Sequence, residues 1–381
     1  MRSSRSTVSI AGTVANADGA VKVLLVIRPD ASSTPGGDLV HAQRTATALR
    51  ALGVEADVVS TGAPNARGYD VAHVFGVFEP ALARRQIDAV RARGVPLVLS
   101  PIWLDLRGLF AIEPLVERAL GSRSLSDVKQ RLAKLRRFDP SLVWRGRTAD
   151  RANRRLLAQR ELIATADVLL PASNIEAYLY GALLRVSDVP FIVAPLGVDD
   201  DAFGVQRRGV RAGVLCAARI EPKKNQAALL HALHDVDVEL TLVGTAADER
   251  YFALCRRWAT PRTRFVDHVD HDQVLRMMSD AAVHALPSWH ETPGLASLEA
   301  AATGARLVTG DCGSEREYFG PDVDYADPAD PAMIRAAVLR ALDRGPRERG
   351  DALERRLGAY TWQRNGQATL AAYTRAAAAR A

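Results

Sequence analysis

Cysteine is scarce: Cys216, Cys255 and Cys312 are the only three in 381 residues, far apart and odd in number. They form neither a disulfide framework nor a C-x-x-C metal pair, and a reducing cytoplasm suits such usage. No apolar run reaches the ~18 residues that crossing a bilayer takes. Met1–Ala20 carries two arginines but no apolar stretch of signal-peptide length, and reads as a loose polar leader. There is no G-x-y period, which excludes a collagen-like chain. No G-x-G-x-x-G follows a strand candidate, and neither a P-loop nor G-x-S-x-G occurs. Dehydrogenase, P-loop nucleoside triphosphatase and serine hydrolase readings therefore lose their main support.

What is present is a chain with 48% hydrophobic and 25% charged residues, enough apolar material for large cores. At ~100–200 residues per domain its length predicts two or three domains. Lys22–Arg28 is an apolar run ending at Pro29, then a Ser/Thr/Pro/Gly loop, then a helical pattern over Leu39–Leu52 closed by Gly53. Further strand candidates are Glu55–Ser60, Val71–Phe75, Pro96–Ser100, Asp167–Leu170 and Phe191–Ala194. A second series follows the polar segment Asp199–Arg211: Gly213–Ala217, Glu239–Val243, Arg264–Val266, Val283–Leu286 and Ala305–Thr309. Strands alternating with helices imply parallel sheets covered on both faces. The expectation is an α/β chain of two doubly wound, Rossmann-like domains facing a central cleft. Their bounds are 21–195 and 196–360, and a C-terminal helix over 361–381 returns to the first domain.

Charge is unevenly spread. The net value is +6, yet Arg107–Arg160 alone holds 14 Lys/Arg against 5 Asp/Glu. Leu125, Val128, Leu132 and Leu135 interleave with these cations at helical spacing. One reading is a solvated helical face; the other is peripheral contact with an anionic membrane or a lipid-linked acceptor. Aromatics are not interleaved as base stacking would require, so nucleic acid is not the expected partner.

Three stretches carry chemistry. In Pro287–Gly304 (PSWHETPGLASLEAAATG) a strand enters a loop with Pro293 and Gly294, then a helix from Leu295 that Gly304 ends. Glu291 lies in the loop and Glu299 about one turn into the helix, where unpaired N–H groups suit a phosphate. In Ala217–Asn225 (AARIEPKKN), Arg219 and Lys224 follow a strand, at the sheet edge where a diphosphate would lie. Arg offers a fork and Lys a compact charge. Gly36-Gly37 sits between the first strand and first helix and permits close backbone approach, with His41 four residues on. The plainer alternatives are a solvated cation pair, a flexible loop and a packed histidine.

Together these stretches resemble the retaining glycosyltransferases of the GT-B fold, specifically glycosyltransferase family 4, over roughly Val21 to Tyr373. Pro195–Asp199 with Phe203, Gly313–Asp330 and Tyr360-Thr361-Trp362 also resemble family segments. The resemblance implies a metal-independent retaining hexosyltransferase with a nucleotide-diphosphate sugar as co-substrate, no cofactor, and a glycan or lipid-linked acceptor. GDP-mannose is the favoured donor, in surface polysaccharide or glycolipid synthesis at the cytoplasmic face of a membrane. It further implies that Arg219 and Lys224 hold the diphosphate and Glu299 the ribose. Glu291, Pro293, Gly294 and Leu295 would hold the donor sugar, and Asp267, His268 and Val269 the base. Arg219, Lys224 and Glu291 are the catalytic candidates.

Two departures stand out. Thr292-Pro293 replaces the Gly-Phe common in the family. Ser100–Asp105 replaces a segment that often carries a histidine, leaving Trp103, Asp105 and His41 as acceptor-side candidates. D-x-D occurs at Asp235–Asp237 and Asp322–Asp324, without a metal-binding constellation around either. An epimerase or phosphorylase on the same scaffold, or a non-catalytic anion- or membrane-binding protein, are the competing readings.

Overall fold

The computed structural model of the protein describes residues 21–109, 147–205, 209–348 and 350–380. The leader and residues 110–146, with the expected amphipathic basic helix, lie outside them. No helix among the described residues is long and apolar enough to cross a membrane. Contacts divide the chain into two units.

The first unit comprises Met1–Trp103, Leu157–Leu196 and Trp362–Ala381. Its described elements begin with β1 (Lys22–Ile27), α1 (Gly37–Ala51), β2 (Glu55–Ser60) and β3 (Val71–Phe75). There follow α2 (Pro80–Arg91), β4 (Leu97–Ser100), the part of α3 (Arg147–Ile163) from Leu157 onward, β5 (Val168–Leu169) and α4 (Asn174–Leu184). All strand pairs are parallel, in the order β2-β1-β3-β4-β5. Because helices cover both faces, β1 and β3 are apolar nearly throughout instead of alternating. The expected strand at Phe191–Ala194 is a single bridge, Leu169 to Phe191. Pro190 and Pro195 flank it and supply no N–H to extend the ladder.

The C-terminal helix, Trp362–Ala378, belongs to this unit, as expected. Thr45 Oγ1 of α1 donates to Asn365 Oδ1 over 2.8 Å. His73 links the Tyr373 hydroxyl to Ser100 Oγ, each at 2.9 Å. Burial, then the neighbouring His41, holds His73 well below the ordinary imidazole value, so the link is a neutral one.

The second unit comprises Leu104–Leu156 and Gly197–Thr361. After α5 (Asp200–Gly204) come β6 (Ala212–Ala217), a 3₁₀ turn (Pro222–Lys224), α6 (Gln226–Leu233) and β7 (Leu240–Val243). Next are α7 (Glu249–Trp258), β8 (Thr263–Val266), α8 (His271–Asp280), β9 (Ala281–Leu286) and α9 (Leu295–Ala302). The unit closes with β10 (Arg306–Gly310), α10 (Glu315–Phe319), β11 (Asp324–Ala326), α11 (Pro331–Asp343) and α12 (Ala352–Leu357). The sheet is parallel, in the order β11-β10-β9-β6-β7-β8. Counted within the unit this is the 3-2-1-4-5-6 arrangement, whose strand order reverses between β6 and β9. Val214, Cys216, Leu240, Leu242, Val283 and Ala285 pack under α6, α7 and α11 as one core.

Leu104 onward groups with the second unit, not with the first as the expected bounds had it. Leu104, Leu106 and Leu109 pack against Trp289, which gives that segment its own apolar anchor. The acids of both D-x-D sequences are engaged by arginines. Asp235 meets Arg335, Asp237 meets Arg262, and the buried Asp324 meets Arg340 and Arg344.

Candidate active site

In a doubly wound sheet, ligands bind beyond the carboxyl ends of the strands where the order reverses. In the second unit that place is the ends of β6 and β9, where Ala217–Asn225 and Pro287–Gly294 emerge. Lys224 and Glu291 meet there: Nζ lies 2.6 Å from Oε1, with the side chains 19% and 9% exposed. Burial pushes the Glu291 carboxyl up. Lys224, the Ser288 hydroxyl and Lys223 outweigh that and hold it below the usual carboxylate range.

Two further bonds lace the two loops together, and a third ties them to the segment after β11. Trp289 N donates to Lys223 O over 3.0 Å. Asn225 Nδ2 donates to Pro287 O at 3.1 Å and to Pro328 O at 2.8 Å. Asn225 is buried and left-handed, at φ 60, a conformation its short amide side chain tolerates. That turn aims Lys224 back across the sheet edge.

Arg219 Nη2 lies 3.3 Å from Glu221 Oε1, and Lys223 Nζ is the same distance from that oxygen. Lys223 is a third cation of the site. Burial is the largest influence on it, and together with Lys224 and Arg219 it lowers the ammonium value against Glu221 and Glu291. Gln226 Nε2 donates to Arg219 O over 2.8 Å and fixes the backbone at the strand end.

Gly294 caps α9 with φ 89, a left-handed value only glycine adopts freely. A Cβ there would meet Glu291 Oε2 at 3.3 Å. Pro293 follows a cis Thr292-Pro293 bond, and Leu295 opens α9. Glu299, in α9, lies 3.8 Å from His271 Nε2 at the start of α8. Asp267 and His268 are exposed beyond the carboxyl end of β8, and the His268 N–H donates to Asp267 Oδ1 at 2.7 Å. Val269 beside them is half-buried. Strands stand ~4.8 Å apart, so the β8 end is about 10 Å from β6, within the span of a nucleotide.

Under this surface His284 is fully buried on β9. Its Nε2 accepts from the Ala217 N–H at 3.4 Å, and burial pushes it down to about 4. Among the described residues no group of three His, Cys, Asp or Glu is placed to hold a metal ion.

The first-unit candidates fare differently. Gly36 is the extended N-cap of α1, with Gly37 its first residue. Trp103 is not an acceptor-facing residue: it is 0% exposed, its indole N–H donates to Gln159 Oε1 over 3.1 Å, and its ring is core. His41 is likewise packed, edge-on to Phe75 and beside Trp362, and burial pushes it down to about 4. Asp105 groups with the second unit and is clamped by Arg107 through two side-chain bonds of 2.8 and 2.6 Å. It lies within electrostatic reach of His290, which burial pushes down and which Asp105 and Glu291 push back up.

Sequence reasoning missed Lys223, Asn225, His284 and His290. The first two adjoin Lys224 in the sequence, and an Asn ending a Pro-Lys-Lys turn is a signal for a left-handed residue. His284 and His290 carry no such signal.

The profile described as "Glycosyl transferases group 1" matches residues 211–344, within the second unit. The chain is 29% identical over 236 residues to MMP alpha-(1->4)-mannosyltransferase of Mycolicibacterium hassiacum, covering 58% of this chain and 57% of the relative. It is 29% identical over 204 residues to GDP-mannose-dependent alpha-(1-6)-phosphatidylinositol dimannoside mannosyltransferase of Mycobacterium tuberculosis, covering 49% and 53%. The chain thus spans about half the length of these curated relatives. Among solved structures, sucrose-phosphate synthase from Thermosynechococcus elongatus superposes with a TM-score of 0.69 at 17% identity, covering 93% of this chain and 98% of the other. The fold is GT-B, as the sequence resemblance implied.

Proposed function

We propose, from a chain with the GT-B fold, that it is a retaining glycosyltransferase that moves a hexose from a nucleotide-diphosphate sugar to a glycan or lipid-linked acceptor. The observation that carries this reading is the buried Lys224–Glu291 pair where the strand order reverses, with Arg219 and Lys223 beside it. The diphosphate would lie on these three cations. Charge-assisted bonds contribute ~1.5–3 kcal/mol each. Only the part that strengthens as charge builds on the leaving diphosphate speeds bond cleavage. Lys224 has three N–H donors, so it can keep Glu291 while it meets a phosphate oxygen.

Glu291, held ionised, would accept hydrogen bonds from sugar hydroxyls, and Gly294 leaves space for the sugar beside it. Glu299 would hold the ribose, with Asp267, His268 and Val269 near the base. Retention would follow from front-face attack, the leaving phosphate taking the acceptor proton. GDP-mannose is the first donor to try, since one matched relative is named for its dependence on it. The charge of Arg107–Arg160 supports a peripheral site at an anionic membrane.

The test is the anomeric configuration of the product, read by NMR from a matched donor and acceptor in the presence of chelator. Retention at undiminished rate is expected. Inversion, or strict dependence on Mg²⁺ or Mn²⁺, would overturn the mechanism.

A further inference from the structure

Glu315, the first residue of α10, is 1% exposed, and neither carboxyl oxygen has a side-chain partner among the described residues. It lies directly behind Glu291. Ser314 N donates to Glu291 O over 3.0 Å, so the turn after β10 rests on the Glu291 backbone. Gly313 is sandwiched between the two glutamates: a Cβ there would stand 2.8 Å from Glu315 Oε2 and 2.9 Å from Glu291 N, and closer still to Glu291 O. Any larger residue would push the two apart.

We propose that Glu315 is a positioning residue for Glu291: its buried side chain seats the Gly313–Ser314 turn against the Glu291 backbone and so sets where the Glu291 carboxylate meets the donor sugar. This deepens the transferase reading and rests on it. The nucleotide moiety, on Arg219, Lys224 and Glu299, is untouched by Glu315, so the effect falls on the sugar half of the donor.

The surroundings are those of an uncharged acid. Burial raises the Glu315 carboxyl well above the usual range against the pull of its own backbone N–H; the Glu291 charge pushes it further up, the Gly313 N–H opposes, and Asp311 adds to the rise. The other titratable groups facing it are Cys312, before the turn, and Tyr325 of β11. Arg316 is taken up by Asp311, and Arg356 of α12 lies 3.9 Å from Asp322. Among the described residues no cation is paired with Glu315, and Glu291 carries the single negative charge of the pair.

The experiment compares Glu315→Gln and Glu315→Ala with wild type on the full chain. It uses a donor panel, the matching nucleoside diphosphate without sugar, and urea unfolding from pH 5 to pH 9. Glu315→Gln keeps shape and neutrality. It is expected to retain kcat/KM within about threefold, and to lose the fall in stability on raising pH that wild type shows, because a raised carboxyl binds its proton more tightly folded than unfolded. Glu315→Ala is expected to raise KM for the nucleotide sugar about tenfold or more while Kd for the nucleoside diphosphate stays within about twofold. The proposal is overturned if Glu315→Ala weakens both ligands equally or neither, or if wild type and Glu315→Gln have superimposable pH profiles of stability. Wild type that binds no nucleotide at all overturns the transferase reading itself, an outcome separate from the unfolding arm. If the alanine variant does not fold, the glutamine variant still decides.

Discussion

Replacing Lys224 by alanine perturbs stability and turnover together, and the structure separates the two. At 2.6 Å and an effective dielectric of about 20, the Lys224 and Glu291 charges attract by roughly 6 kcal/mol before desolvation is subtracted. Both side chains are largely out of water, so removing one leaves a buried carboxylate without its counter-charge, at a cost of about 3–5 kcal/mol. Urea unfolding of Lys224→Ala should show that loss. Released nucleoside diphosphate should show kcat/KM falling about 100-fold or more, near 2.7 kcal/mol of transition-state binding. In Lys224→Ala/Glu291→Gln the stranded charge is gone, so stability should recover in part while activity does not. Turnover within about threefold of wild type in Lys224→Ala, or additive stability losses in the double variant, would refute the reasoning.

Two other outcomes follow from the same geometry. Asn225→Ala gives up two buried hydrogen bonds and a tolerable left-handed residue, so unfolding should cost about 2–4 kcal/mol, with activity falling because the two loops lose their tie. A loss under about 0.5 kcal/mol would contradict that. Acid should destabilise the chain through His41 and His284, both pushed down to about 4 by burial. An imidazole with a lowered folded value contributes stability fully present above the unfolded ~6.5 and lost as pH falls through about 4. Each histidine is worth on the order of 3 kcal/mol, read from urea midpoints at pH 7.5 and pH 4. Equal midpoints would refute it.

Much of the candidate site was legible because its chemistry sits beside strand ends. A parallel sheet delivers consecutive loops to one edge, so alternation put Arg219 and Lys224 beyond β6 and Glu291 beyond β9, and the family resemblance joined them in one donor site. The α9 helix was legible from its Pro-Gly entry and Gly304 exit. What stayed hidden depended on contacts distant in sequence. Trp103 looked like an acceptor residue until Gln159, 56 positions on, took its indole N–H. Asp105 changed units because Trp289 offers Leu106 an apolar surface. Glu315 drew no notice as one acid in a charged stretch, GSEREYFG; only burial behind Gly313 distinguishes it from Glu317. Strand β11 was missed because it is three residues long and contains an aspartate that two arginines neutralise.

The most direct measurement is thermal unfolding of the wild-type chain against UDP-, GDP-, ADP- and dTDP-sugars, repeated with Arg219→Ala and Lys224→Ala. A ligand that binds only the folded state at 100 times its Kd stabilises by about 2.7 kcal/mol. One nucleotide class should raise Tm in wild type and leave both variants unmoved. A panel with no shift, or a shift that persists in either variant, would contradict the claim that these side chains grip a nucleotide diphosphate.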